Sequence, residues 1–79
     1  MGIAKNEAEL AGRLADYLKA EIAKEGHSYE EIAKRMKRHG FQETKASVTN
    51  KLWRGTFPAT FMVGVLAALD RDALRLGDV

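Results

Sequence analysis

Ser47, Asn50, Lys51 and Arg54 stand at i, i+3, i+4 and i+7, the spacing that lines side chains along one side of an α-helix. Their chemistry suits a DNA groove. Arg and Lys donate to guanine O6 and N7 or to phosphate, Asn pairs bidentately with adenine, and a small hydroxyl donates or accepts. No acid interrupts the stripe. Thr44, Lys45 and Thr49 belong to the N-terminal half of the same segment, the end from which a groove-binding helix reaches base edges. The plainer account of the same residues is that a helix burying Val48 and Leu52 needs a polar side opposite them.

The absence of acids from the stripe, beside a basic second helix, favours the first account, whereas the charge distribution alone admits two readings. Seven of the thirteen Lys and Arg residues fall between Lys34 and Arg54, against the single acid Glu43, so this segment carries +6 in a chain of formal net charge +2. Residues 1–33 sum to −3 and residues 55–79 to −1. A basic block between acidic ones concentrates positive field where a polyanion approaches. A charged face that keeps a small domain soluble is the alternative.

The elements that must hold these residues are helical. Leu10, Leu14, Tyr17, Leu18 and Ile22 recur at helical spacing and predict a first helix over about Asn6 to Glu25, stopped by Gly26. Ser28 caps a second helix, with Glu31 three residues on as the other half of a capping box. Tyr29, Ile32, Ala33 and Met36 form its apolar stripe, and Lys34, Arg35, Lys37 and Arg38 decorate the rest up to Gly40. Part of the basic block therefore has a structural use, because cations favour a helix C-terminus. Phe41 anchors the following turn, Thr44 caps a third helix over Lys45 to Arg54, and Gly55 ends it. Pro58 opens a fourth helix to Leu69, apolar on nearly every side, which a chain this small can surround only in part. Arg71 to Leu76 adds a last turn. No strand pattern is present. Trp53 is expected in the core, with an interface position as the alternative, and Phe57 is expected as a core plug.

Composition closes off other classes. Seventy-nine residues make one domain, residues 1–79, and 46% apolar content argues against disorder. With no cysteine, disulfides and thiolate metal sites are excluded. His27 and His39 lack partners at ligand spacing, so no metal or other cofactor is expected. Glu30 and Glu31 belong to a helix first turn, and no nucleophile–base pair or phosphate loop appears, so no enzymatic activity is expected. Met1 to Asn6 lacks the apolar region of a secretory leader, and the longest apolar run, Phe61 to Leu69, is too short to span a bilayer. A cytoplasmic protein, nucleoid-associated if DNA-bound, with no membrane partner and no small-molecule ligand, is the expectation.

The run Ser28-Tyr29-Glu30-Glu31-Ile32-Ala33, a turn, Val48 to Gly55, then Pro58 followed by Leu66-Ala67-Ala68-Leu69 resembles the Cro/C1-type (Xre-like) helix-turn-helix family. The resemblance covers about residues 10–76, with Arg54-Gly55 and Pro58 matching it well. The chain looks closer still to a small bacterial family of uncharacterised proteins, through Leu14-Ala15-Asp16-Tyr17-Leu18-Lys19 and Asn50-Lys51-Leu52. The resemblance implies an all-α, lambda repressor-like bundle of four to five helices. It further implies a sequence-specific DNA-binding transcriptional regulator, repressor-like, that places the third helix in the major groove of double-stranded DNA. Base contacts fall to Ser47, Thr49, Asn50, Lys51 and Arg54, with Lys45 and Thr44 beside them, and phosphate contacts to Ser28, Lys34, Lys37 and Arg38. A homodimer through helix 4 and the C-terminal segment, with Leu74 and Leu76, completes the expectation. Two features depart from the pattern: Tyr29 stands where many such domains place Gln, and Met36 to Gly40 lengthen the second helix and turn. A protein-interaction module on the same scaffold, or a non-specific nucleic-acid binder, is the alternative.

Overall fold

Three of the four α-helices start where a short polar side chain captures a free backbone N–H. In the computed structural model, which describes residues 2–79, Asn6 Oδ1 accepts from Glu9 N at 2.8 Å and opens α1, Glu7–Lys24. Ser28 Oγ accepts from Glu31 N and opens α2, Tyr29–Lys37. Thr44 Oγ1 accepts from Ser47 N and opens α3, Lys45–Arg54. Pro58 precedes α4, Ala59–Ala68, where its missing N–H costs nothing. Met1, the first residue of the segment read for a secretory leader, lies outside the described residues.

The helix ends are equally specified. After α1, Gly26 at φ 74° lets its own N–H reach Ala23 O and the His27 N–H reach Ile22 O, a Schellman closure. Gly40 at φ 88° does the same after α2, sending Phe41 N to Met36 O. Asp70, at φ 59°, closes α4 in the same way, with Arg71 N on Leu66 O. Gly55, at φ 82°, ends α3.

The described residues form an all-α fold, four α-helices and a closing 3₁₀ turn at Leu76–Asp78. The expected further helical turn over 71–76 is absent; residues 71–75 run as irregular chain. The core lies where α2 and α4 pack on each other and on the inner sides of α1 and α3. Leu18, Ile22, Ile32, Met36, Val48, Leu52, Phe61 and Val65 are its fully buried side chains. Phe57 plugs its edge, with its ring 5.1 Å from that of Phe61. Phe41 packs against α4 because residue 64 is glycine: a Cβ there would lie 2.6 Å from Phe41 Cζ and 2.8 Å from Met36 Cε.

Two expectations change. In α1 the buried line passes through Ala15, Leu18 and Ile22, leaving Leu10, Leu14 and Tyr17 half-buried. Trp53 is not in the core: it is 66% exposed, because Val48 and Leu52 set the buried line of α3 and leave it on the far side. No helix among the described residues is long and apolar enough to cross a membrane.

Candidate nucleic-acid interface

Glu43, the single acid of the basic block, organises its surroundings. Its side chain is only 9% exposed, lying beneath the start of α3. Lys51 Nζ meets Glu43 Oε2 at 2.6 Å, and Ser47 Oγ donates to Glu43 Oε1 at 2.6 Å. The Ser47 hydroxyl also accepts the Thr44 backbone N–H at 2.8 Å, completing a reciprocal capping box. The Lys51 ammonium lies 5.1 Å from the centre of the Phe61 ring, and the side chain is 27% exposed. Two members of the expected outward stripe, Ser47 and Lys51, are thus turned toward the turn before α3 and toward α4. The capping box expected at Ser28 forms only in part: Glu31 turns instead to Arg35, 3.1 Å away.

The residues facing outward on α3 are Ala46, Asn50, Trp53 and Arg54, with Thr49 and Lys45 on the flank. Ala46, Asn50 and Trp53 stand at i, i+4 and i+7, a line opposite Val48 and Leu52. The Thr49 hydroxyl bonds back to Lys45 O at 2.7 Å, which leaves its methyl group to the surroundings. Arg54 donates from Nε and Nη2 to Thr56 O, folding its guanidinium over the turn that follows. Lys19, from α1, sets its ammonium 3.9 Å from the centre of the Trp53 ring and is itself held by Asp16 at 3.4 Å. The indole is therefore exposed yet fixed by a cation–π contact.

Ion pairing divides the cations sharply. Among the described residues, Arg13, Lys19, Lys24 and Arg71, all outside the block, pair with carboxylates. Within the block only Arg35 and Lys51 are paired; Arg35 joins Glu31 and Asp70 and donates to Ala68 O at the end of α4. Lys34, Lys37, Arg38, Lys45 and Arg54 make no ion pair among the described residues, and all five are exposed. Lys34, Lys37 and Arg38 share the outer side of α2 with Ser28 at its start, while Lys45 and Arg54 mark the two ends of α3.

Elsewhere the chemistry is structural. Arg71 bridges Glu21 at 2.5 Å and Glu25 at 3.1 Å, fastening the chain after α4 to α1. Those two hydrogen bonds, Glu21 first, raise the Arg71 guanidinium above its ordinary pKa. The groove beneath it, about 610 Å³ and lined by Arg13, Tyr17, Glu21 and Arg71 among others, contains the Arg71–Glu21 pair. No cluster of His, Asp or Glu among the described residues has metal-binding geometry.

Residues 10–74 match the family described as a domain of unknown function, DUF6471. The chain belongs to that family. The DUF6471 match runs from within α1 to Leu74, so it contains every residue of the candidate face and of the Glu43 contact. Neither a curated protein nor a solved structure matches the chain.

Sequence reasoning missed Glu43, Lys19 and the exposure of Trp53. A signal for the first was present: Glu43 precedes Ser47 by four residues and Lys51 by eight, the spacing of one helical side continued into the turn.

Proposed function

We propose that this DUF6471 chain is a sequence-specific duplex-DNA-binding regulator in which α2 and α3 act as a helix-turn-helix, with α3 entering the major groove. The observation that carries this reading is the partition of cations. Five of the seven basic residues between Lys34 and Arg54 lack a carboxylate partner among the described residues, whereas most of those elsewhere are ion-paired. Unpaired, exposed cations on two consecutive packed helices are what neutralising phosphates on both sides of a groove requires. Lys34, Lys37 and Arg38 would grip the backbone, and Lys45 and Arg54 would flank the reading face. The resemblance to Cro/C1-type domains, in the capped α2, Arg54-Gly55 and Pro58, supports the same assignment, with catalysis no part of it.

A specific surface suits the homodimer that two half-sites require. Val63 is 57% exposed at the edge of an open groove of about 360 Å³ between α4 and the chain that follows, lined by Met62, Leu66, Ala73 and Leu74. The same groove favours the second reading, a protein-docking module, if it takes up a different chain.

The test compares two sets of substitutions. Lys37 and Lys45 changed together to Gln should strongly weaken duplex binding at moderate salt, while Lys5 and Arg75, the same number of charges, changed to Gln should leave it nearly intact. Equal losses from the two sets would mean that total charge, and not this surface, governs binding.

A further inference from the structure

We propose that the outward face of α3 reads A·T base pairs, by one adenine-directed amide and a set of apolar contacts to thymine methyls. The inference rests on the reading of α3 as a groove-binding helix and assigns the class of sequence it takes. Asn50 is exposed at the centre of the Ala46–Asn50–Trp53 line, and its carboxamide matches adenine N6 and N7 bidentately. Its other neighbours on this side, Arg54 apart, present apolar groups. Ala46 presents a methyl, and Thr49 presents its own because its hydroxyl is tied to Lys45 O. Trp53 presents an indole held by Lys19, so little side-chain freedom is given up on binding. Apolar groups in the major groove find one apolar feature there, the thymine C5-methyl.

The residues that would read guanine have been withdrawn from this line. Lys51 is bound to Glu43 at 2.6 Å, and Arg54 is folded onto Thr56 with Nη2 3.1 Å from its carbonyl. Lys45 is exposed at the first position of α3 but stands on the Val48 and Leu52 side of the helix, off the Ala46–Asn50–Trp53 line. The same helix with Lys51 free would present a guanine reader beside Asn50; the Glu43 contact removes it.

The test uses the intact protein and synthetic duplexes. Selection from a random duplex library should return sites with A·T pairs at the positions covered by α3. Replacing the thymines of the selected half-site with uracil should weaken binding about fourfold for each methyl that α3 touches, with the salt dependence unchanged. Asn50→Ala should cost about tenfold on the selected site and little on random duplex. Equal affinity for thymine and uracil duplexes, or selected half-sites made of G·C pairs, would overturn the A·T assignment and leave the DNA-binding reading in place. Failure to bind any duplex in a salt-dependent manner would overturn both.

Discussion

Replacing Glu43 with Gln should make the protein less stable and, at low salt, a tighter DNA binder. In the native structure the carboxylate accepts two short bonds of 2.6 Å, from Lys51 Nζ and Ser47 Oγ, at a site where its side chain is only 9% exposed. Hydrogen bonds to charged groups contribute about 1.5–3 kcal/mol each, and breaking a fully buried pair costs about 3–5 kcal/mol. Lys51 is 27% exposed and regains water once released, so the lower part of that range applies. The amide still accepts one bond. A loss of about 1–2 kcal/mol is expected for Glu43→Gln, and about 2–3 kcal/mol for Glu43→Ala. In a domain of this size each kcal/mol moves Tm by about 4–8 °C, so thermal unfolding followed by circular dichroism resolves both variants. A double-mutant cycle with Lys51→Met should recover a coupling of about 1–2 kcal/mol. The freed ammonium becomes a sixth unpaired cation in the basic block, so the slope of log affinity against log salt should steepen by about 0.9. A Glu43→Gln variant with unchanged Tm and zero coupling to Lys51 would show that the contact is a solvated surface pair, and would remove the reason for excluding Lys51 from the reading face.

Other expectations follow from single contacts. Gly64→Ala places a Cβ 2.6 Å from the Phe41 ring, and should destabilise by about 1–3 kcal/mol in chemical denaturation; a neutral result would mean that Phe41 swings clear at no cost. Arg71→Ala removes the bonds to Glu21 and Glu25, and should speed amide exchange in residues 71–76 while α2 and α3 keep their protection. Trp53 is the single tryptophan and is largely exposed, so free protein should show solvent-type emission readily quenched by iodide. Duplex DNA should protect it, whereas a ligand docking in the α4 groove should not. Val63→Asp should shift a dimer to monomer in analytical ultracentrifugation, since a charge on that apolar rim has no partner to meet across a two-fold axis.

The helices were legible because each boundary rests on a local residue choice. Asn6, Ser28, Thr44 and Pro58 begin the helices, Gly26, Gly40 and Gly55 sit at positive φ just past the ends of α1, α2 and α3, and α3 runs over the expected residues. What the sequence left open was rotation about the axis of α3. Reading Ser47 and Lys51 as outward treated the helix as if only Val48 and Leu52 were covered. In fact α4 and the Glu43 turn approach from one side, cover Ser47 and Lys51, and move the exposed line toward Asn50 and Trp53. That approach depends on Phe41 seating against Gly64, a contact between residues 23 positions apart that no local pattern announces. Trp53 went astray for a related reason: large aromatic residues are usually buried, but here a lysine from α1 holds the ring at the surface.

The proposed function stands or falls on whether the unpaired cations of α2 and α3 bind the phosphates of duplex DNA. The decisive measurement is the affinity of the purified protein for a duplex across a range of salt concentrations, read from Trp53 emission. Five such cations per chain predict a slope of log affinity against log salt approaching −4.5 per protomer, falling by about 0.9 in magnitude for Lys37→Ala. A slope near zero, or one that Lys37→Ala leaves untouched, would contradict it.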